Sequence, residues 1–294
     1  MIMLAFLAQT LRIAIPYLFA SAGGVISERA GLIGLTLEGY MLGAAFTAAV
    51  GSHYSGSPWI GALCGIAGGV AMAMLYAVCS LRFRANQIVV GIAINLLAIG
   101  LTRVFLRFIF DSSSNSSRVA GFGSETGGGL AALVSNPLIW LGLATVPALA
   151  WVLYRTPFGL RVRAVGEHPD AAASVGVRVN RVRYAAAALS GMLAGLGGVY
   201  LVLDQHQFTD QMTAGRGFIA IAATIFGRWD PVRVALACLL FAAAETMQIQ
   251  LQGMKIVPSQ FLEILPYVLT IIALAGVVGR AVPPAALGKT TEPV

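Results

Sequence analysis

The run PWIGALCGIAGGVAMAMLYAVCS, residues 58–80, contains no charged side chain. A helix needs roughly 20 apolar residues to cross the hydrocarbon core of a bilayer. Within that core only a helix or a closed barrel pairs all of its backbone. Residues 58–80 therefore read as a transmembrane helix, and the rest of the chain repeats the pattern. Comparable runs lie at about 4–26, 31–50, 88–110, 131–153, 185–203, 234–252 and 261–279. A shorter run, about 212–226, is interrupted by Gly215 and Gly217. It reads as a broken or re-entrant helix, which is stable only where protein or a water-filled cavity covers it. The expected fold is an all-α polytopic transmembrane bundle of eight to ten spans, with nine favoured.

Composition agrees. Of 294 residues, 58% are hydrophobic and 11% charged, against about 45–50% and 25% in an ordinary soluble domain. Such a chain has too little polar surface to coat a water-soluble globule, and it is far too apolar for a disordered one. The 34 glycines and 12 prolines fit membrane helices, where neighbouring helices satisfy freed backbone groups. The N-terminal MIMLAFLAQTLRIAIPYLF lacks a positive leading region and is expected to be a first span rather than a removed signal. Cys64, Cys79 and Cys238 all fall in apolar runs and read as small buried hydrophobes. No metal-ligand spacing is present.

The net charge of +7 is carried by arginines placed between apolar runs. This is the mark of cytoplasmic loops, not of a nucleic-acid-binding face, which needs a soluble basic surface. Segment 154–184 carries Arg155, Arg161, Arg163, Arg178, Arg181 and Arg183 and is assigned to the cytoplasm. Alternation then places Arg82, Arg84, Arg228, Arg233, Arg280 and Lys289 inside, and the polar stretches 111–130 and 204–211 outside. The domain division follows: a transmembrane domain over 1–280, its long cytoplasmic loop at 154–184, and a cytoplasmic tail at 281–294. With nine spans the N-terminus is outside.

Motifs for chemistry are scarce. Gly288-Lys289-Thr290 ends like a phosphate-binding loop, but no strand precedes it and no helix follows, so it is a chance match. The histidines are far apart, and no catalytic arrangement emerges from spacing. Gly61, Gly65 and Gly69 in one run, and Gly191 and Gly195 in another, recur four apart and read as helix packing.

Polar groups inside spans cost about 2.5–3.5 kcal/mol when charged and central, so they normally face an interior or a polar path. Glu38 in LTLEGYML, Asn95 in GIAINLLAIG, and Glu245 and Gln248 in FAAAETMQIQLQ are the candidates for lining a solute path. Asn86, in the RANQ stretch ahead of Asn95, joins them. Helix-to-helix hydrogen bonding is the competing role for all of them. Arg12, Arg103 and Arg107 are expected near span ends, where long side chains snorkel. In the loop, Pro169 suits a first helical position, Asp170 the positive helix end, and Gly176 a C-terminal stop. A short helix at about 169–175 with an alanine-rich face suits docking into a partner's groove.

Six stretches carry a family resemblance: SERAGLIGLTLEGYML (27–42), RANQIVVGIAINLLAIGLT (84–102), YRTPFGLRVRAVGEHPDAAASVGV (154–177), SGMLAGLGGVYL (190–201), GRGFIAIAATIFGRWDP (215–231) and LPYVLTIIALAG (265–276). The chain resembles the membrane subunits of ABC importers of the branched-chain amino acid and simple-sugar type, and within them the nucleoside-importer permeases. The resemblance implies a dimeric pore, heterodimeric by preference, in a bacterial inner membrane. Its implied partners are a cytoplasmic ABC ATPase that binds the ATP, an external solute-binding lipoprotein or periplasmic protein, and the lipid bilayer. No nucleic acid and no cofactor on this chain are implied. Residues 159–176 correspond to the family's coupling loop, so Gly159, Arg161, Arg163, Gly166, Glu167, His168, Pro169, Asp170, Ala171, Ala172 and Gly176 are the implied contacts to the ATPase. Gly34-Leu35-Thr36 stands where the family usually has Asn-Ile-Gly, so any role of that Asn does not carry over. The alternatives are a monosaccharide permease of the same type and, from a different class, an ion-gradient-driven secondary transporter.

Overall fold

Proline opens five of the described helices, at Pro58, Pro137, Pro157, Pro169 and Pro231. Its missing N–H is one of the donors that a helix N-terminus leaves unpaired in any case. The computed structural model describes residues 2–122, 135–253 and 282–289. The expected span at 261–279, the resemblance at 265–276, Arg280 and the start of the run at 131–153 lie outside the described residues.

In chain order the helices are α1 (Ile2–Arg29), α2 (Leu37–Ser55), α3 (Pro58–Ala77), α4 (Gln87–Phe110), α5 (Pro137–Arg155), α6 (Pro157–Glu167), α7 (Pro169–Ser174), α8 (Val179–Gln205), α9 (Arg216–Phe226) and α10 (Pro231–Gly253). A 3-10 turn, Gly34–Thr36, precedes α2, and α3 closes in a π turn, Val78–Arg82. Among the described residues six helices are long and apolar enough to cross a membrane: α1, α3 with its π turn, α4, α5, α8 and α10. The chain is a multi-pass, all-helical membrane protein.

Two boundaries differ from expectation. The second helix starts at Leu37 rather than near residue 31, because residues 30–36 break the helix and fold into the protein. It is not among the six, yet it is buried over most of its length. A helix enclosed by other helices has no need of lipid-grade hydropathy, which lets α2 carry the buried Glu38 and Ser52. The broken run is helical only from Arg216 to Phe226, and the chain reaches it from His206 without regular structure.

The core forms where α8 packs on α1, α2 and α3. The expected glycine packing is realised there: a Cβ on Gly69 would lie 2.4 Å from the Gly191 carbonyl oxygen, and one on Gly191 2.5 Å from that of Gly69. No side chain fits between α3 and α8 at this crossing, so the backbones touch.

Hydrogen bonds gather the connections into two ends. At one end Arg29 donates to the Trp229 carbonyl, Ile33 N–H to the Gln87 side chain, and Tyr154 hydroxyl to Asp230. At the other, Asn115 pairs with Thr209, and Ser52 hydroxyl donates to the Ala120 carbonyl. The arginine-rich connections meet at the first end and the polar stretches around 115 and 209 at the second, as alternation requires. Arg12 and Arg103 reach the polar stretch 204–211 at the second end, where each is paired: Arg12 to Asp204 at 2.9 Å and Arg103 to Asp210 at 2.8 Å. Pairing lowers the cost of an arginine near a span end.

Candidate permeation and coupling sites

Residues 30–36 leave the first amides of α2 without helical partners, and α4 supplies them. The Asn95 side-chain amide donates to the Leu35 carbonyl at 2.8 Å, while its Oδ1 accepts the Gly39 N–H at 2.9 Å. One side chain thus replaces two backbone bonds lost at the break.

Glu38, one residue further back, points at a second helix start. Its Oε1 accepts the Thr213 hydroxyl at 2.6 Å and the Gly215 N–H at 2.9 Å, and its Oε2 accepts the Gly217 N–H at 2.7 Å. These donors form the N-terminus of α9, where the helix dipole and unpaired amides favour an anion. Gly217 permits the approach: a Cβ there would lie 2.4 Å from the Glu38 backbone nitrogen. Glu38 is only 8% exposed, and three donors offset the loss of its hydration.

The same turn of α9 is held from its other side. Arg216 pairs with Glu245 of α10 at 3.0 Å, and Tyr17 of α1 donates its hydroxyl to the second Glu245 oxygen. Arg216 also donates to the Met212 carbonyl at 3.1 Å. Beside this ion pair lies a cleft of about 430 Å³, whose walls include Gln9, Arg12, Tyr200, Asp204 and Arg216. Glu38 and Asn95 are buried and bonded within the protein, in the helix-to-helix role. The cleft's own polar lining, Gln9, Arg12, Tyr200, Asp204 and Arg216, offers donors and acceptors that suit a neutral or zwitterionic polar solute.

Of the five path candidates, the structure brings Glu38, Asn95 and Glu245 into one chain of contacts through the starts of α2 and α9. Gln248 lies half-buried one turn beyond Glu245 on α10. Asn86 stands apart, exposed at the start of α4, where its Oδ1 caps the helix by accepting from Ile88 N–H at 2.9 Å. Sequence reasoning missed Arg216, Thr213, Tyr17 and the Arg12–Asp204 pair. Arg216 had a signal, a charge between two glycines inside an apolar run, but its partner is on another helix.

In the loop at 154–184 the expected short helix is present as α7. Gly176 follows it at φ +86°, and its N–H donates to the Ala173 carbonyl at 2.9 Å. Ahead of it stands α6, a helix that the sequence reading took as loop. Thr156 caps α6 by accepting the Gly159 N–H at 3.1 Å. Gly159 and Gly166 are buried, and a Cβ on Gly166 would meet the Arg29 carbonyl oxygen at 1.9 Å, so α6 lies directly on the end of α1. Ala172 is also buried, and Arg163, half-buried, lies over the Tyr154 ring at 5.3 Å. Arg161, Glu167, His168, Asp170, Ala171 and Gly176 are exposed, and Pro169 is half-buried. The loop therefore has an anchored side and a free side.

Comparison with known proteins is consistent with this architecture. Residues 6–274 match the family model described as branched-chain amino acid transport system / permease component. The guanosine ABC transporter permease protein NupQ of Bacillus subtilis is 35% identical, over 95% of this chain and 93% of its own. The nucleoside ABC transporter permease protein NupC of Lactococcus lactis is 38% identical, over 96% and 94%. A solved inward-facing conformation of a metal-chelate type ABC transporter shares the fold, with a TM-score of 0.56 at 16% identity over 92% of this chain and 85% of that one. With its polytopic helices and a family match over residues 6–274, this chain belongs to the branched-chain amino acid transport system permease family, as a permease subunit of an ABC importer.

Proposed function

We propose that this permease forms one half of the pore of a nucleoside importer in a bacterial inner membrane. The observation that carries the substrate is similarity along nearly the whole chain to permeases of guanosine and nucleosides. The polar cleft supports it: Gln9, Arg12, Tyr200, Asp204 and Arg216 line it, and a nucleoside needs both donors and acceptors. Nine spans account for the chain when 206–226 counts as one broken crossing and 261–279 as the last. The permease domain is then 1–280 and the tail 281–294.

The partners are a second, non-identical permease, a cytoplasmic ABC ATPase that binds the ATP, and an external solute-binding lipoprotein or periplasmic protein, all within the lipid bilayer or at its surfaces. This chain carries no cofactor of its own and contacts no nucleic acid. The free side of α6–α7, with Arg161, Glu167, His168, Asp170, Ala171 and Gly176, docks on the ATPase. Gly159, Gly166 and Ala172 hold that lever on the bundle. Liganded receptor and nucleotide each drive transport only by binding one pore conformation better than the other.

The test is reconstitution with the neighbouring ATPase and receptor. The ATPase is expected to copurify with the wild-type permease and to be lost with Ala171→Arg. The receptor's melting temperature is expected to rise with nucleosides. Uptake without ATPase would establish an ion-driven carrier instead, and a receptor stabilised only by monosaccharides would overturn the substrate.

A further inference from the structure

Residues 282–289 come back to the inner end and bind there through their backbone. Ala286 N–H donates to the Gly166 carbonyl at 2.9 Å, and Gly288 N–H to the Gly31 carbonyl at 3.1 Å. Ala285 N–H donates to the Glu167 carboxylate at 3.3 Å. One segment thus touches the end of α6 and the turn between α1 and α2. Arg183, in the second turn of α8, secures it. The side chain is fully buried; its Nε donates to the Ala30 carbonyl at 3.2 Å and its Nη1 to the Lys289 carbonyl at 3.1 Å. A buried guanidinium needs acceptors, and here the tail and the α1–α2 turn each provide one.

Beyond Gly31 the hydrogen bonds continue. Glu28 Oε1 accepts the Gly34 N–H at 3.2 Å, and its Oε2 accepts the Trp229 indole N–H. The turn leads into Glu38, which holds the start of α9, while Trp229 follows the end of α9. Outside, Ala285, Ala286 and Lys289 form one wall of a groove of about 410 Å³ whose other wall is Glu167 to Ala171.

We infer that Pro284–Lys289 is a latch, with Arg183 as its positioning residue, that fastens the α6–α7 lever to the α1–α2 turn and so to α9. The inference rests on the reading of α6–α7 as the ATPase contact. Without the latch the lever still docks and still rests on the end of α1 through Gly166, but it loses its tie to Gly31, and part of its displacement is lost before it reaches α9.

The experiment uses the complete reconstituted importer and measures nucleoside taken up per ATP hydrolysed. Gly288→Val places a side chain at φ +75°, with its Cβ 2.9 Å from Ile33, and Ala286→Pro removes the N–H that Gly166 receives. Both variants are expected to copurify with the ATPase and to hydrolyse ATP, with uptake per ATP lowered by about five- to tenfold, a coupling of ordinary size. Arg183→Lys, which keeps the charge and can reach one of the two carbonyl acceptors, is expected to retain more coupling than Arg183→Met. Wild-type coupling in both tail variants overturns the latch. Loss of the ATPase in the tail variants also overturns it, since the tail would then be a docking contact. Retention of the ATPase by Ala171→Arg would instead defeat the underlying reading of the lever. Hydrogen exchange on the unaltered importer gives an independent check: the Ala286 and Gly288 amides are expected to be protected, and free exchange at both rejects the latch.

Discussion

The Glu38 carboxylate at the start of α2 and the Gly217 amide in the first turn of α9 are joined by a hydrogen bond of 2.7 Å across 179 residues of sequence. Two helices that each begin inside the bundle are thereby tied tip to tip. The tie places negative charge on the positive end of α9, adding to the packing of that half-length helix against α1, α2 and α10. Any change of pore conformation that moves α9 must carry α2 with it or break this contact.

Glu38→Gln keeps the shape of the side chain but removes the charge and turns one acceptor into a donor facing other donors. A hydrogen bond to a charged group contributes about 1.5–3 kcal/mol. The variant is expected to insert and assemble, to melt at a lower temperature, and to lose uptake by about tenfold, the factor that 1.4 kcal/mol represents. Thermal unfolding in detergent and proteoliposome uptake check both parts. Unchanged values in both would mean that α9 is held by packing alone.

Gly217→Ala tests the close approach. Its Cβ would lie 2.4 Å from backbone nitrogen and 2.6 Å from Cα of Glu38, atoms that cannot rotate away. A cost of about 1–3 kcal/mol is expected, as for other overpacked sites. Gly100→Ala, in α4 with nothing within 4 Å of the new Cβ, is expected to be neutral or slightly stabilising. Parallel melting curves of the two variants distinguish local crowding from a general effect of losing glycine.

Arg216 and Glu245 expose about a fifth of each side chain, 21% and 21%. Removing either partner leaves a charge in a poorly hydrated place, and roughly 2 kcal/mol of destabilisation is expected for Arg216→Met or Glu245→Gln alone, the exposure reducing the cost found for deeper pairs. The double variant is expected to cost less than the sum of the two. Additive costs in a double-mutant cycle would show that the pair is not energetically coupled.

Asn95→Asp retains an acceptor for the Gly39 N–H but sets a carboxylate against the Leu35 carbonyl. Asn95→Ala leaves both backbone groups unpaired, each at about 1–3 kcal/mol when buried. Both variants are expected to lose uptake more than assembly, measured as transport per copurified complex. Normal transport by both would make Asn95 a bystander to the path.

Much of the membrane architecture was legible because its signals are local. A 20-residue apolar run is its own evidence of a span, and arginine in short connections sets the sides without reference to any other segment. Pro169, Asp170 and Gly176 likewise marked the ends of α7. The Thr156-Pro157 start of α6 was equally local, but the arginines in that stretch drew attention to charge rather than to the cap.

What the amino-acid order alone determined was therefore the helical bundle, the gathering of its arginine-rich connections at one end, the break near Gly215, and the short helix at 169–174. Only tertiary structure decided what the buried polar groups do. Glu38, Asn95 and Glu245 each looked like a lone polar residue in an apolar run, because their partners come from distant helices. Gly217, Leu35 and Arg216 supply the donors and acceptors, and Arg183 similarly meets Lys289 only after the chain has folded. Burial makes an unpaired polar group too costly to persist, so these residues had to find partners. Which partners they found depended on how the helices crossed.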